Sequence, residues 1–322
     1  MTNDLILRLL LALSLALSTA PVAPPQRVDS AFELPCKEGS VRFGVMGDTG
    51  RGTRDQIEVG AQMAAFHGRC SFDLVIMLGD NIYGADEPAD MRGKFELPYK
   101  ALLDAGVVFQ ASLGNHDNPN QRFYVPFNMQ GLRYYSFRPK RGPAGGAGSV
   151  RFYALDSNYL VKEQLEWLDA QLAVADAEWR IAFFHHPLYS SGKTHGSSLE
   201  SRALLEPLFV QYGVSAVFSG HDHFYERIKP QLGGIVYWVS GAGGSLRKGD
   251  IRATEMTAKG FDLDDHFMIV EINGDDLYFQ AISRTGDTVD SGVFRRPGAI
   301  AVASTPMSAA PAETKTAARP RQ

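Results

Sequence analysis

Cysteine is nearly missing from this chain: Cys36 and Cys70 are the only two in 322 residues. So few thiols leave no room for a disulfide-dense scaffold. Charge of one sign is missing as well. Lys and Arg total 32 against 36 Asp and Glu, a formal net charge of -4. No basic stripe points to nucleic acid, and no acidic block points to a solvating tail. Internal repeats of the solenoid kind are absent. The one candidate membrane run, residues 9–17, is too short to cross a bilayer comfortably.

That run precedes Ser18-Thr19-Ala20, the arrangement of an export signal. Residues 1–20 are therefore read as a cleaved signal peptide, with an uncleaved membrane anchor as the rival reading. The expected product is exported, periplasmic or extracellular, with no stable membrane insertion after signal removal. In an oxidising compartment Cys36 and Cys70 have a pairing open to them, because each precedes an apolar run. If those runs are neighbouring strands, the two thiols lie at one sheet end; two buried thiols are the alternative. Residues 21–35 are proline-rich and expected to be extended, and residues 297–322 form an Ala/Pro/Thr/Ser mixture expected to be a disordered tail. The body, 36–296, reads as one domain interrupted only by the glycine-rich stretch 142–149. With 44% hydrophobic residues the chain can bury a sizeable core.

Within the body, five apolar runs (41–46, 72–78, 107–113, 180–184 and 214–219) each stop at a polar turn. Near-continuous apolar runs of this length are the pattern of strands buried on both faces. Leu165, Leu168 and Leu172 share a helical face of 162–175, and Leu204, Leu205 and Leu208 do so in 198–212. Runs 235–240 and 267–272 read as further strands, and Asn273-Gly274-Asp275-Asp276 before 277–282 reads as a hairpin. The expected fold class is α+β: two packed mixed β-sheets flanked by helices, an α/β/β/α sandwich.

The turns carry the chemistry. In chain order they are Gly47-Asp48-Thr49-Gly50, Gly79-Asp80-Asn81-Ile82-Tyr83, Gly114-Asn115-His116-Asp117, His185-His186-Pro187 and Gly220-His221-Asp222-His223. Five of the eight histidines lie in them, which scattered core or surface histidines would not do. Asp48 and Asp80 offer carboxylates, Tyr83 a phenolate, Asn115 a carbonyl oxygen, and His185, His221 and His223 imidazoles. An oxygen and nitrogen set without thiolate suits iron, manganese or zinc. Three anionic groups in one buried place call for cations, and one carboxylate could bridge two ions at the ~3.5–4 Å spacing of two-metal hydrolysis. A single Gly-Asp turn after a strand is commonplace; five such turns in one chain are not. Blander readings fit the neighbours: His186 packs, Asp117 and Asp222 orient adjacent histidines, His67 and His266 are structural, and Asp262, Asp264 and Asp265 form a solvated turn.

In this order the motifs resemble the purple acid phosphatase branch of the calcineurin-like metallophosphoesterases, in the short single-domain form similar to tartrate-resistant acid phosphatase. The resemblance spans about residues 41–245, and Tyr83 distinguishes this branch from relatives that share the other motifs. It implies a binuclear metal centre: Fe(III) on Asp48, Asp80, Tyr83 and His223, and a divalent ion (Fe, Zn or Mn) on Asp80, Asn115, His185 and His221. It implies that His116 and His195 contact phosphate and assist the leaving group. The implied activity is acid phosphatase, hydrolysing small phosphate monoesters by in-line attack of a metal-bound hydroxide. A phosphodiesterase or nucleotide pyrophosphatase on the same scaffold is the alternative, and a non-enzymatic metal-binding or adhesion module is a third reading. In the short mammalian form a loop near the site restrains activity, and residues 138–149 would fall in that region.

Overall fold

A computed structural model describes residues 33–140 and 149–296. The expected signal peptide, most of the 21–35 segment, the glycine-rich 142–148 and the 297–322 tail lie outside the described residues. Within them the chain forms two sheets. In the first, β1 (Val41–Met46), β2 (Leu74–Met77) and β3 (Val108–Ala111) pair parallel. The second contains β4 (Tyr135–Phe137), β5 (Val150–Ala154), β6 (Trp179–Phe183), β7 (Ala216–Ser219), β8 (Tyr225–Ile228), β9 (Val236–Ser240) and β10 (Thr257–Phe261). Its order is β10-β8-β9-β7-β6-β5-β4, with β5, β6, β7 and β9 forming one parallel block. The chain then returns to the first sheet as β11 (His266–Asn273), β12 (Asp276–Ser283) and β13 (Thr288–Arg295), giving β13-β12-β11-β1-β2-β3. The β11–β12 hairpin pairs Asn273 with Asp276 around Gly274 and Asp275, as its turn residues dictate.

Parallel strands need cover on both faces, and each sheet obtains it from the other and from helices. Phe43 of β1 meets Phe152 of β5 and Phe218 of β7 edge-on, at 5.0 and 6.0 Å between ring centres. Trp238 of β9 stacks on Phe218 at 4.9 Å and reaches Phe279 of β12 at 5.4 Å. On the outer side of the first sheet, α1 (Arg54–Arg69) buries Val59, Met63 and Phe66; its N-cap Thr53 accepts the Gln56 amide. Two short helices, α2 (Pro88–Met91) and α3 (Lys100–Asp104), lead toward β3. On the outer side of the second sheet, α4 (Lys162–Leu172) and α5 (Leu199–Gln211) set Leu168, Leu172, Leu205 and Phe209 against Ala182, Phe184 and Val217. The sandwich is α/β/β/α.

Two readings are corrected, and the place of a third is given. The buried stripe of α5 is Ser201, Leu205 and Phe209, whereas Leu204 is exposed; the true stripe follows i, i+4. Strands β4, β5, β8, β10 and β13 escape the apolar-run pattern, because β4, β10 and β13 lie at sheet edges and β5 and β8 carry Arg151, Glu226 and Arg227. Residues 138–149 connect β4 to the start of β5. Arg138, Pro139 and Lys140 therefore line a cavity with Ser71 and Gly106 at the N-terminal ends of the parallel strands. Strand direction puts the described ends of this stretch at the edge opposite the polar turns, and the rest of it lies outside the described residues.

Cys36 and Cys70 form a disulfide, Cα to Cα 5.6 Å, at the N-terminal ends of neighbouring β1 and β2. Buried Glu271 accepts the amides of Cys36 and Lys37, both at 2.7 Å, and so anchors the same corner. Unreduced protein is expected to show no reactive thiol by mass spectrometry, and Cys70→Ser to cost about 2–4 kcal/mol in urea unfolding. His266 supplies a second prediction. It is fully buried with Nε2 3.1 Å from Ser240 Oγ, and burial pushes its imidazole down to about 3. Between pH 6.5 and 3 the unfolded chain therefore binds the extra proton, so stability is whole above pH 6.5 and falls as acid is added. Replacing it, His266→Gln, should shrink the loss of unfolding free energy between pH 7 and pH 5 by about 2 kcal/mol; equal slopes would refute the assignment.

Candidate metal centre

Strands that run parallel deliver their C-terminal turns to one edge. Here β1, β2 and β3 do so from one sheet and β6 and β7 from the other, and the packed sheets bring both sets together. Cross-sheet hydrogen bonds lock the junction. The His221 amide donates to Asp48 Oδ2 at 2.8 Å, His185 Nδ1 donates to the Leu78 carbonyl at 2.9 Å, and the Gly243 amide donates to the Gly47 carbonyl at 3.0 Å. Asp48, Asp80 and His221 hold left-handed backbone, with φ of 56°, 52° and 70°. Such conformations cost energy in non-glycine residues and persist where surrounding structure imposes them. Gly114 explains part of that imposition: a Cβ there would overlap the Asp80 amide and carboxylate.

All seven expected ligands converge at this edge. Asp48 and Asp80 are almost fully buried and, with His223, place ligand atoms within 4.8 Å of one another. His223 Nε2 is 3.2 Å from Asp48 Oδ1, and the Tyr83 hydroxyl lies 3.4 Å from each of those atoms. The second group centres on His185. Since its Nδ1–H is given to a carbonyl, Nε2 presents a lone pair. That atom faces Asn115 Oδ1 at 2.9 Å, His221 Nδ1 at 3.1 Å and Asp80 Oδ1 at 3.5 Å. Electron-rich atoms aimed at one point are what a cation satisfies, so the donor set fits two metal ions with Asp80 reaching both.

The electrostatics agree. Burial, then the Asp80 charge, holds the Asp48 carboxyl well above the usual carboxylate range. Burial and both carboxylates push the Tyr83 phenol up. In the opposite direction, burial lowers His185 and His221 and takes His223 down to about 4. The imidazoles are thus neutral and ready as ligands in mild acid. The anions, by contrast, favour a strongly polarising cation as the means of releasing their protons.

His116 and His195 are exposed at the rim. The His116 amide donates to Asp80 Oδ1 at 2.9 Å and its ring lies 5.0 Å from Tyr83, while the His195 ring is 4.1 Å from His221. His186 is more than packing. Its Nδ1 meets Ser157 Oγ at 2.9 Å and it joins His185 and His221 within 4.8 Å. Asp117 and Asp222 do not orient imidazoles. Asp117 accepts the Ile82 and Gly114 amides at 3.1 and 2.8 Å, clamping the β2 and β3 turns; Asp222 accepts Ser190 Oγ and the Gly196 amide, holding the loop that carries His195. The acidic group is not a solvated turn either, since Asp265 is 3% exposed, Asp264 pairs with Arg284, and Asp262 accepts the Gly249 amide. His67 packs edge-on against Phe72, away from the centre.

A sixth turn went unread. Strand β9 is parallel to β7, so Gly241-Ala242-Gly243-Gly244-Ser245 falls on the same edge. It places Ser245 3.0 Å from Arg51 Nε, and the Arg51 guanidinium lies 3.9 Å over the Tyr83 ring. A glycine-rich turn directly after an apolar run was the available signal.

The calcineurin-like phosphoesterase family model matches residues 41–225, more than half of the chain. The chain belongs to that family. Purple acid phosphatase 17 of Arabidopsis thaliana is 27% identical over 71% of this chain and 76% of its own length. Purple acid phosphatase 15 of the same plant is 35% identical over 44% of this chain and 28% of its own length. Among solved structures, purple acid phosphatase PPD1 from yellow lupin seeds aligns with a TM-score of 0.66 at 21% identity, covering 87% of this chain and 58% of that one. GAP50, the anchor in the inner membrane complex of Plasmodium, aligns with a TM-score of 0.66 at 20% identity, covering 80% and 90%. At such identities the structural likenesses show the fold, and the sequence relatives show a similarity to purple acid phosphatases.

For this phosphoesterase the turn geometry makes a direct prediction. Gly114→Ala should displace Asp80, lowering stability by about 3 kcal/mol or more and reducing bound metal by elemental analysis. Gly93→Ala, where a Cβ meets nothing within 4 Å, should change neither.

Proposed function

We propose that the chain is an exported acid phosphatase of the purple type, with residues 36–296 as its phosphoesterase domain. In this reading Asp48, Asp80, Tyr83 and His223 hold Fe(III), and Asp80, Asn115, His185 and His221 hold a divalent ion. The observation that carries it is the facing of His185 Nε2, Asn115 Oδ1, His221 Nδ1 and Asp80 Oδ1 beside the group of Asp48, Tyr83 and His223. The raised Tyr83 phenol supports a trivalent ion on that side, because a phenol flanked by carboxylates gives up its proton only to a strong Lewis acid. Export is supported by the disulfide, which persists in oxidising compartments. Among the described residues no helix is long and apolar enough to cross a membrane.

Two cations so placed would supply Lewis acidity to the phosphate ester and to the water that attacks it. The protein's own contribution is positional. The Leu78 carbonyl fixes the His185 tautomer, the His221 amide holds Asp48, and the His116 amide holds Asp80. His116 and His195, at the mouth, are placed to bind phosphate oxygens and give a proton to the departing alkoxide. Substrates are small phosphate monoesters.

Elemental analysis should find about two metal ions per chain, as the two-metal scheme requires. The oxidised protein should absorb in the visible, and Tyr83→Phe should abolish that band while leaving the protein folded; colour surviving the change would defeat the ferric-tyrosinate assignment. Substrate class is read by comparing 4-nitrophenyl phosphate with bis(4-nitrophenyl) phosphate. A higher kcat/KM for the monoester is expected, and a reversed preference would make the chain a diesterase.

A further inference from the structure

A cavity of about 520 Å³ opens beside His223, of a size suited to a small ligand. Its wall carries four cations, Arg51, Arg247, Lys248 and Arg284. Arg284 is already consumed: it pairs with Glu58 at 2.5 Å, Asp264 at 2.9 Å and Asp55 at 3.7 Å. The remaining acid, Asp265, accepts the Leu246 amide at 3.2 Å. Of the other three, Arg51 and Lys248 are left uncompensated, and Arg247 has one long ion pair. Among the described residues neither Arg51 nor Lys248 has a carboxylate within ion-pair distance. Arg247 Nη1 makes no hydrogen bond but pairs with Asp250 at 3.6 Å.

Their placement is built rather than incidental. Arg51 is fixed by Ser245 and by the Tyr83 ring, and the Arg247 amide donates to the His223 carbonyl at 2.9 Å. Both arginines thus line the cavity next to residues of the metal-ligand cluster. A guanidinium pair with a lysine recognises phosphate, which accepts several charge-assisted hydrogen bonds at once.

We propose that Arg51, Arg247 and Lys248 form an anion subsite that selects phosphate esters carrying a second phosphate on the alcohol side. The substrate class is then bisphosphorylated small molecules, with the scissile phosphate at the metal centre and the other in the cavity. This rests on the phosphatase reading, so the test keeps the two apart.

Binding is measured by calorimetry on the metal-loaded protein with two non-hydrolysable probes, butylphosphonate and butane-1,4-bisphosphonate, checking metal content after each titration. The bisphosphonate should bind about tenfold more tightly or better. Lys248→Gln, at an exposed position where folding is not at stake, should reduce that advantage about threefold, and Arg247→Gln/Lys248→Gln should remove it. Equal affinity for the two probes in the unaltered protein, or an advantage undiminished in both variants, overturns the subsite. Phosphate release from glucose 6-phosphate and from fructose 1,6-bisphosphate by the same preparation is the separate arm: failure with both, with the bisphosphonate preference intact, overturns the phosphatase reading and the substrate class with it, leaving only an anion-binding cavity.

Discussion

Asp48 and Asp80 are buried within reach of each other and of a phenol, and that arrangement is the constraint on which the rest depends. Burying one carboxylate is costly, and burying two together is more so unless positive charge or directed dipoles answer them. The surrounding structure supplies the dipoles. Backbone amides of His221 and His116 point at the two carboxylates, and neutral imidazoles stand where protonated ones would be lost to burial. What the dipoles leave unanswered is charge, and the donor geometry leaves room for cations to bring it. The left-handed turns at Asp48, Asp80 and His221 belong to the same account, since each aims a side chain or an amide inward at a conformational cost that the two-sheet core sustains.

The two ends of the sandwich have different duties. At the N-terminal edge of the parallel strands lie the disulfide and the Glu271 anchor, which tie β1, β2 and β11 into one corner. At the C-terminal edge lie the left-handed turns of Asp48, Asp80 and His221 and the close approach of Gly114 to Asp80. A scaffold made rigid at one end can hold an unfavourable charge cluster at the other, and the hydrogen bonds between sheets at Leu78, Gly47 and Asp48 carry that rigidity to the site.

The fold alone would not assign a function. The same architecture serves a purple acid phosphatase in lupin and an anchor in Plasmodium, at similar structural distance from this chain. A metal site needs donor atoms that are complete and convergent, and here every expected ligand is present at the shared edge. Beside them, Arg51, Arg247 and Lys248 line a cavity next to His223.

Much of this was legible in the residues themselves. Apolar runs marked β1, β2, β3, β6, β7, β9 and the β11–β12 hairpin because parallel, doubly covered strands leave a local signature. The ligand types were legible because each followed such a run directly. Tertiary structure decided what no local pattern encodes. It placed Arg51 over Tyr83 and Arg247 beside His223, and it gave Asp117 backbone amides to hold in place of an imidazole. It also set residues 138–140 at the edge opposite the site through the antiparallel pairing of β4 with β5. The physical reason is range. Burial periodicity and turn chemistry act over a few residues and are written in sequence, whereas the pairing of charges depends on which strand ends the sheets bring together.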